Sequence, residues 1–144
     1  MTNPKTRKPV KLENDRLWRL ASEIAIYAYG QLDNFSDEEA YGMQPKLRDR
    51  AFDMTNDVAE AVGSVDPRDK THLYGHALAA AYSVRNTLVM ANKTGMLQVD
   101  PTVFVKLDQL ADGLSSEVAD TSDGIPEYLK QFSVRDNSKR DSES

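Results

Sequence analysis

The chain has 144 residues and a mass of 16.1 kDa, which fits one domain of ordinary size, and 40% hydrophobic residues suffice for a core of its own. With 23 acidic against 18 basic side chains the formal charge is −5, so the molecule as a whole lacks the strong positive charge that draws a protein to a phosphate backbone. Cysteine is absent, which excludes disulfides, thiolate zinc sites, iron–sulfur clusters and cysteine nucleophiles together. No apolar run approaches the roughly 20 residues of a spanning helix, and Met1 to Lys11 carries charge without the apolar stretch of a signal peptide. The expectation is a cytoplasmic protein with no membrane partner.

Residues 1–12 carry Lys5, Arg7, Lys8 and Lys11 with no acid, two prolines and hardly any apolar side chain, so nothing there offsets the entropy of ordering. They are expected to form a flexible basic arm. Residues 133–144 mix Asp, Ser, Asn, Lys and Arg with Val134 as the one apolar residue, and read as a disordered tail. Residues 13–132 between them form the folded domain.

Within that domain the apolar period is helical and the punctuation falls where helix ends belong. The first helix opens at Asn14 or Asp15 as N-cap and runs to about Gln31, with Leu17, Leu20, Ile24 and Tyr27 or Ala28 on one face and Trp18 widening it. Ser36 to Glu39 has capping-box order, so Asp37 to Tyr41 is expected to make a helical turn before Gly42. The second helix is placed from Pro45, whose missing N–H suits a first position, to just before Gly63, with Leu47, Ala51, Met54, Val58 and Ala61 or Val62 inward.

The third helix takes Asp66 as N-cap and Pro67 after it, presents Leu73, Ala77, Ala80, Val84, Leu88 and Ala91, and stops at Gly95. Its run Ala77 to Ala81 holds four alanines in five residues, which fill little space and let another helix approach, inside the bundle or between subunits. The fourth repeats the device with Asp100 and Pro101, then Phe104, Leu107, Leu110 or Ala111, Leu114 and Val118, and ends by Gly124-Ile-Pro126. Tyr128, Leu129 and Phe132 are expected to pack back as a short addendum. Four amphipathic helices joined by short turns are satisfied most simply by an all-α, antiparallel up-down-up-down four-helix bundle.

Charge is unevenly spread. From Asp100 to Glu127 seven acids face a single Lys106, whereas the arm is purely basic and the second helix opens with Lys46, Arg48 and Arg50 around Asp49. One end can receive phosphates while the other repels them, or opposite faces can meet in a homo-oligomer; solvated faces that merely differ are the plain alternative. Phe52, off the apolar stripe and close to Arg48 and Arg50, is the most suggestive aromatic for base stacking; Tyr27, Tyr29, Tyr41, Tyr74 and Tyr82 are further candidates.

Patterns for catalysis are missing. His72 and His76 stand at i and i+4 with Asp69 one turn earlier, the one arrangement resembling metal ligation, yet Leu73-Tyr-Gly75 between them rules out H-E-x-x-H and two surface histidines suffice as an explanation. The paired Glu-x-x-His motifs of di-iron bundles, the Arg–His spacing of HEPN ribonucleases, phosphate-cradling glycine loops and a G-x-S-x-G elbow are likewise absent. No catalytic residue, metal or cofactor is assigned, and a non-enzymatic role is expected.

The stretch Gly42-Met-Gln-Pro-Lys-Leu-Arg-Asp-Arg-Ala-Phe-Asp-Met-Thr-Asn-Asp-Val-Ala-Glu-Ala-Val-Gly63 resembles the small bacterial four-helix bundle proteins first noticed as products of 23S rRNA intervening sequences. The matching positions are Gly42, Gln44, Leu47, Arg48, Ala51, Asn56, Ala59 and Glu60. Leu88-Val-Met-Ala91 with Gly95-Met-Leu97, and Leu17-Trp18, are similar to further parts of that family, so the resemblance spans roughly residues 14–120. Departures fall at Ala61, at Ala79-Ala80 and near Ser83, where the family carries a closing glycine, a Gly-Ser pair and a glutamate. The resemblance implies an antiparallel bundle assembling as a homopentamer, and similar proteins serve as accessory subunits that bind the reverse transcriptase of diversity-generating retroelements and its RNA.

On that basis the chain is expected to be an oligomeric scaffold that binds a reverse transcriptase, its RNA, or both, with Lys5, Arg7, Lys8, Lys11, Lys46, Arg48 and Arg50 as nucleic-acid contacts. A protein–protein adaptor that never touches nucleic acid is the alternative. Five copies at −5 each carry −25, which opposes RNA, while five arms and five basic clusters gathered in one ring favour it.

Overall fold

The computed structural model describes residues 11–39 and 42–129, and four long helices dominate it: α1 (Arg16–Gln31), α2 (Met43–Gly63), α3 (Pro67–Lys93) and α4 (Thr102–Asp123). No strand occurs among the described residues. α1 packs on α2, α2 on α3, α3 on α4, and α4 back on α1, so the seams close a circuit. None of these helices is long and apolar enough to cross a membrane.

The helix starts follow from local chemistry. Asp15 caps α1, its Oδ1 accepting the backbone N–H of Trp18 at 2.8 Å, and Asp66 caps α3 by accepting that of Arg68 at 2.9 Å, with Pro67 at the first helical position. Asp15→Ala is therefore expected to cost about 1 kcal/mol, read as a lower urea midpoint at unchanged m-value. At the other end of α3, Gly95 adopts φ +79°, and the N–H groups of Met96 and Leu97 both reach the carbonyl of Ala91 at 2.9 and 3.1 Å. A side chain at 95 would strain that left-handed turn.

Three expectations are corrected. α2 begins at Met43, two residues before Pro45, because a proline in the first turn withdraws an N–H that lacks a helical partner wherever in that turn it stands. α4 begins at Thr102, with Asp100 Oδ1 accepting the Thr102 N–H at 3.0 Å, and Val103 is buried where Phe104 was expected, Phe104 lying half-buried beside Arg85. Tyr128 is 63% exposed and does not pack back; Phe132 lies outside the described residues, as do residues 1–10, Ala40, Tyr41 and the whole expected tail. The turn expected at Asp37 is a 3-10 turn over Asp37–Glu39.

Ile24, Leu47, Met54, Leu88, Leu110 and Leu114 form the fully enclosed centre of the core. Nine core residues are alanine, small enough to let helices approach, and the larger Leu, Ile, Met, Val and aromatic side chains carry most of the burial. Gly113 of α4 belongs to the same economy: a Cβ there would run into the side chain of Leu17 on α1. Ala77, Ala80 and Ala81 face this core, whereas Ala79 is exposed.

Tyr74 of α3 is only 5% exposed, and burial, with the carboxylates of Glu117 and Asp15 adding to it, pushes its phenol up to about 12 from 10.0. A group whose folded pKa is raised stabilises fully below its unfolded pKa and loses that contribution as pH rises through the folded one. The melting temperature is thus expected to fall from about pH 10 to about 12, with Tyr74→Phe losing that component of the fall.

Candidate functional site

The first turns of α2 turn their basic residues outward because Leu47, Ala51 and Met54 occupy the inward positions of the helical period. Lys46, Arg48 and Arg50 are all exposed, and all three line one open cleft of about 610 Å³ with Tyr29 of α1 and Asp49, Phe52 and Asp53 of α2. Phe52 is 56% exposed and Tyr29 39%, so two aromatic side chains stand in water among three cations. Burial, then the nearby Asp49 and Asp53 carboxylates, raises the Tyr29 phenol above its ordinary value.

Two of the cations have intramolecular partners. Arg48 Nε lies 3.2 Å from Asp49 Oδ1 and Arg50 Nη1 lies 3.0 Å from Asp53 Oδ2, both pairs well exposed. Such pairs are worth about 0–1 kcal/mol and exchange readily for a stronger anion. Lys46 makes no ion pair among the described residues. The cleft therefore offers one ammonium, two guanidinium groups suited to bidentate phosphate recognition, and an aromatic face for stacking.

Of the expected arm contacts, Lys11 is exposed just ahead of a 3-10 turn over Leu12–Asn14, and Lys5, Arg7 and Lys8 lie outside the described residues. The acidic stretch is partly committed to structure: Asp108 accepts from Arg85 at 2.8 Å, and Lys106 within it pairs with Glu23 of α1 at 3.3 Å. The other aromatics divide by role. Tyr74 is core, the Tyr27 hydroxyl accepts the backbone N–H of Asp100 at 2.8 Å, Tyr82 is 61% exposed on α3, and Tyr41 lies outside the described residues.

A second concavity, about 630 Å³, runs along the α2–α3 seam between Arg50, Asp53 and Asp57 on one side and Gly75, His76, Ala79, Ala80 and Ser83 on the other. The rings of His72 and His76 lie tilted at 46° with centroids 4.3 Å apart, and both act electrostatically on the Asp57 carboxylate of α2. Burial raises the Asp57 carboxyl above its ordinary value, with the two histidines opposing that shift. Among the described residues no three His, Cys, Asp or Glu side chains converge to hold a metal ion, so Asp69, His72 and His76 do not assemble as ligands.

Asp57 is the contribution that sequence spacing missed, and Tyr29, a stacking candidate on sequence, is brought to the basic cluster across a helix–helix seam. No family model, no curated protein and no solved structure matches this chain.

Proposed function

We propose that the chain is a non-enzymatic, homo-oligomeric scaffold with the antiparallel four-helix bundle arrangement. In this role it is an accessory subunit of a nucleic-acid-handling enzyme such as a reverse transcriptase, and it holds RNA along the α1–α2 cleft. One observation carries the RNA contact: Lys46, Arg48, Arg50, Tyr29 and Phe52 share one exposed cleft, pairing phosphate-seeking charge with stacking faces. The closed circuit of helix seams and the short α2–α3 connection, Ser64–Asp66, support the antiparallel arrangement.

A protein–protein adaptor is the second reading, and the Arg48–Asp49 and Arg50–Asp53 pairs favour it, because a surface of interleaved sign suits a mixed protein face better than a polyanion. An anisotropy titration with labelled single-stranded RNA over a salt series separates the two. RNA binding through three phosphates gives a slope of about −2 in log K against log salt, at roughly −0.7 per phosphate. No binding at low salt would leave the adaptor.

A further inference from the structure

We infer that the outer face of α3 is a self-association surface, on which a second copy of this chain packs α3 against α3 across a two-fold axis near Ala79. This rests on the homo-oligomeric part of the proposed function and names the face that part requires.

Charge is the first observation. Between Lys70 and Lys93 the sequence contains a single charged residue, Arg85, and that side chain is turned toward α4, where it meets Asp108 at 2.8 Å and lies 5.4 Å above the Phe104 ring. The outward positions His72, His76, Ala79, Tyr82, Asn86 and Met90 are exposed yet carry no formal charge. The outward positions of α1, α2 and α4 hold Arg19 and Glu23, Lys46, Arg48, Asp49 and Arg50, and Asp108 and Asp112. Depletion of charge, more than hydrophobicity itself, marks the centre of a protein interface.

Gly75 is the second. A glycine inside a helix costs about 1 kcal/mol relative to alanine and calls for a packing reason. Gly113 has one within the chain, in Leu17; at Gly75 a Cβ would meet nothing within 4 Å. Nothing in this protomer requires glycine there, whereas the close approach of a second helix does.

The third is complementarity of relief and charge. Gly75, Ala79 and Ser83 form a shallow floor beside the protruding Tyr82, so a two-fold axis near Ala79 sets each Tyr82 over the other copy's Gly75 and Ala79. Asp57 interacts with His76 at one end of the groove, and Arg50 lies two turns along α2 toward the end marked by Ser83. The same axis therefore brings Arg50 of each copy to Asp57 of the other. Asp57 makes no ion pair among the described residues, and the partner of Arg50, Asp53, is half-exposed, its side chain 44% accessible. Arg50 lines both this groove and the α1–α2 cleft, and its several N–H donors serve Asp57 of the other copy and a phosphate together, while Lys46 and Arg48 stay outside the contact.

Light scattering over a protein concentration series tests the assignment. The protein is expected to be a dimer or an even multiple of one. Ala79→Arg, at an exposed helix position that leaves the core intact, is expected to halve the mass while the thermal unfolding of the separated protomer stays cooperative. Asp57→Arg alone weakens the assembly, and Arg50→Asp combined with Asp57→Arg restores it. An oligomer whose mass ignores Ala79→Arg, a five-membered ring included, overturns the α3 face and leaves the oligomeric reading standing. A wild-type monomer at every concentration overturns both, and a charge swap that fails to restore the mass removes the Arg50–Asp57 contact and with it the two-fold register.

Discussion

Replacing Lys46, Arg48 and Arg50 together by glutamine is expected to remove the cleft's share of salt-dependent RNA binding without altering the fold. All three side chains are exposed, and the ion pairs lost are of the weak exposed kind, so thermal stability should change by less than about 1 kcal/mol. A slope of about −2 from the cleft means that a fourfold rise in salt weakens wild-type binding about sixteenfold, and the variant should lose that share of the dependence. Phe52→Ala separates stacking from charge: with the cations intact it should cost about 1–3 kcal/mol of RNA affinity and leave the slope where it was. Unchanged RNA affinity of the triple variant at low salt would exclude this cluster as the contact.

The largest stability effect is expected at Leu110, one of the largest fully buried side chains of the core. It is 0% exposed, and Leu110→Ala should lower the unfolding free energy by about 2–5 kcal/mol, against the roughly 5–15 kcal/mol that holds a domain of this kind together. Val105→Ala on the same helix, 55% exposed, should stay within about 0.5 kcal/mol. Urea midpoints of the two variants check the contrast, and equal midpoints would contradict the core as described.

What could be seen in the sequence is what short-range chemistry controls. Asp15, Asp66 and Gly95 act within three or four residues of themselves, so their caps and stops were readable, as were the inward face of α2 and that of α3 from Ala77 on. Before Ala77 the buried residue is Tyr74 and not Leu73. The choice between Val103 and Phe104 was not, because neighbours one position apart straddle the edge of an apolar stripe and only the packing of α3 on α4 decides which enters. The same division runs through the candidate site. Lys46, Arg48 and Arg50 share one helix and one face and were legible together; Tyr29 joins them from α1, and Asp57 meets His76 from α2, through registers between helices that no local period encodes. Gly75 was visible as a residue but not as an anomaly, since only the empty space around its Cα distinguishes it from Gly113.

The most direct test of the scaffold is its solution mass by light scattering, with and without single-stranded RNA, at low and at physiological salt. A homo-oligomer that gains mass with RNA, and gains less as salt rises, is the predicted result. A monomer whose mass RNA leaves unchanged at low salt would contradict it.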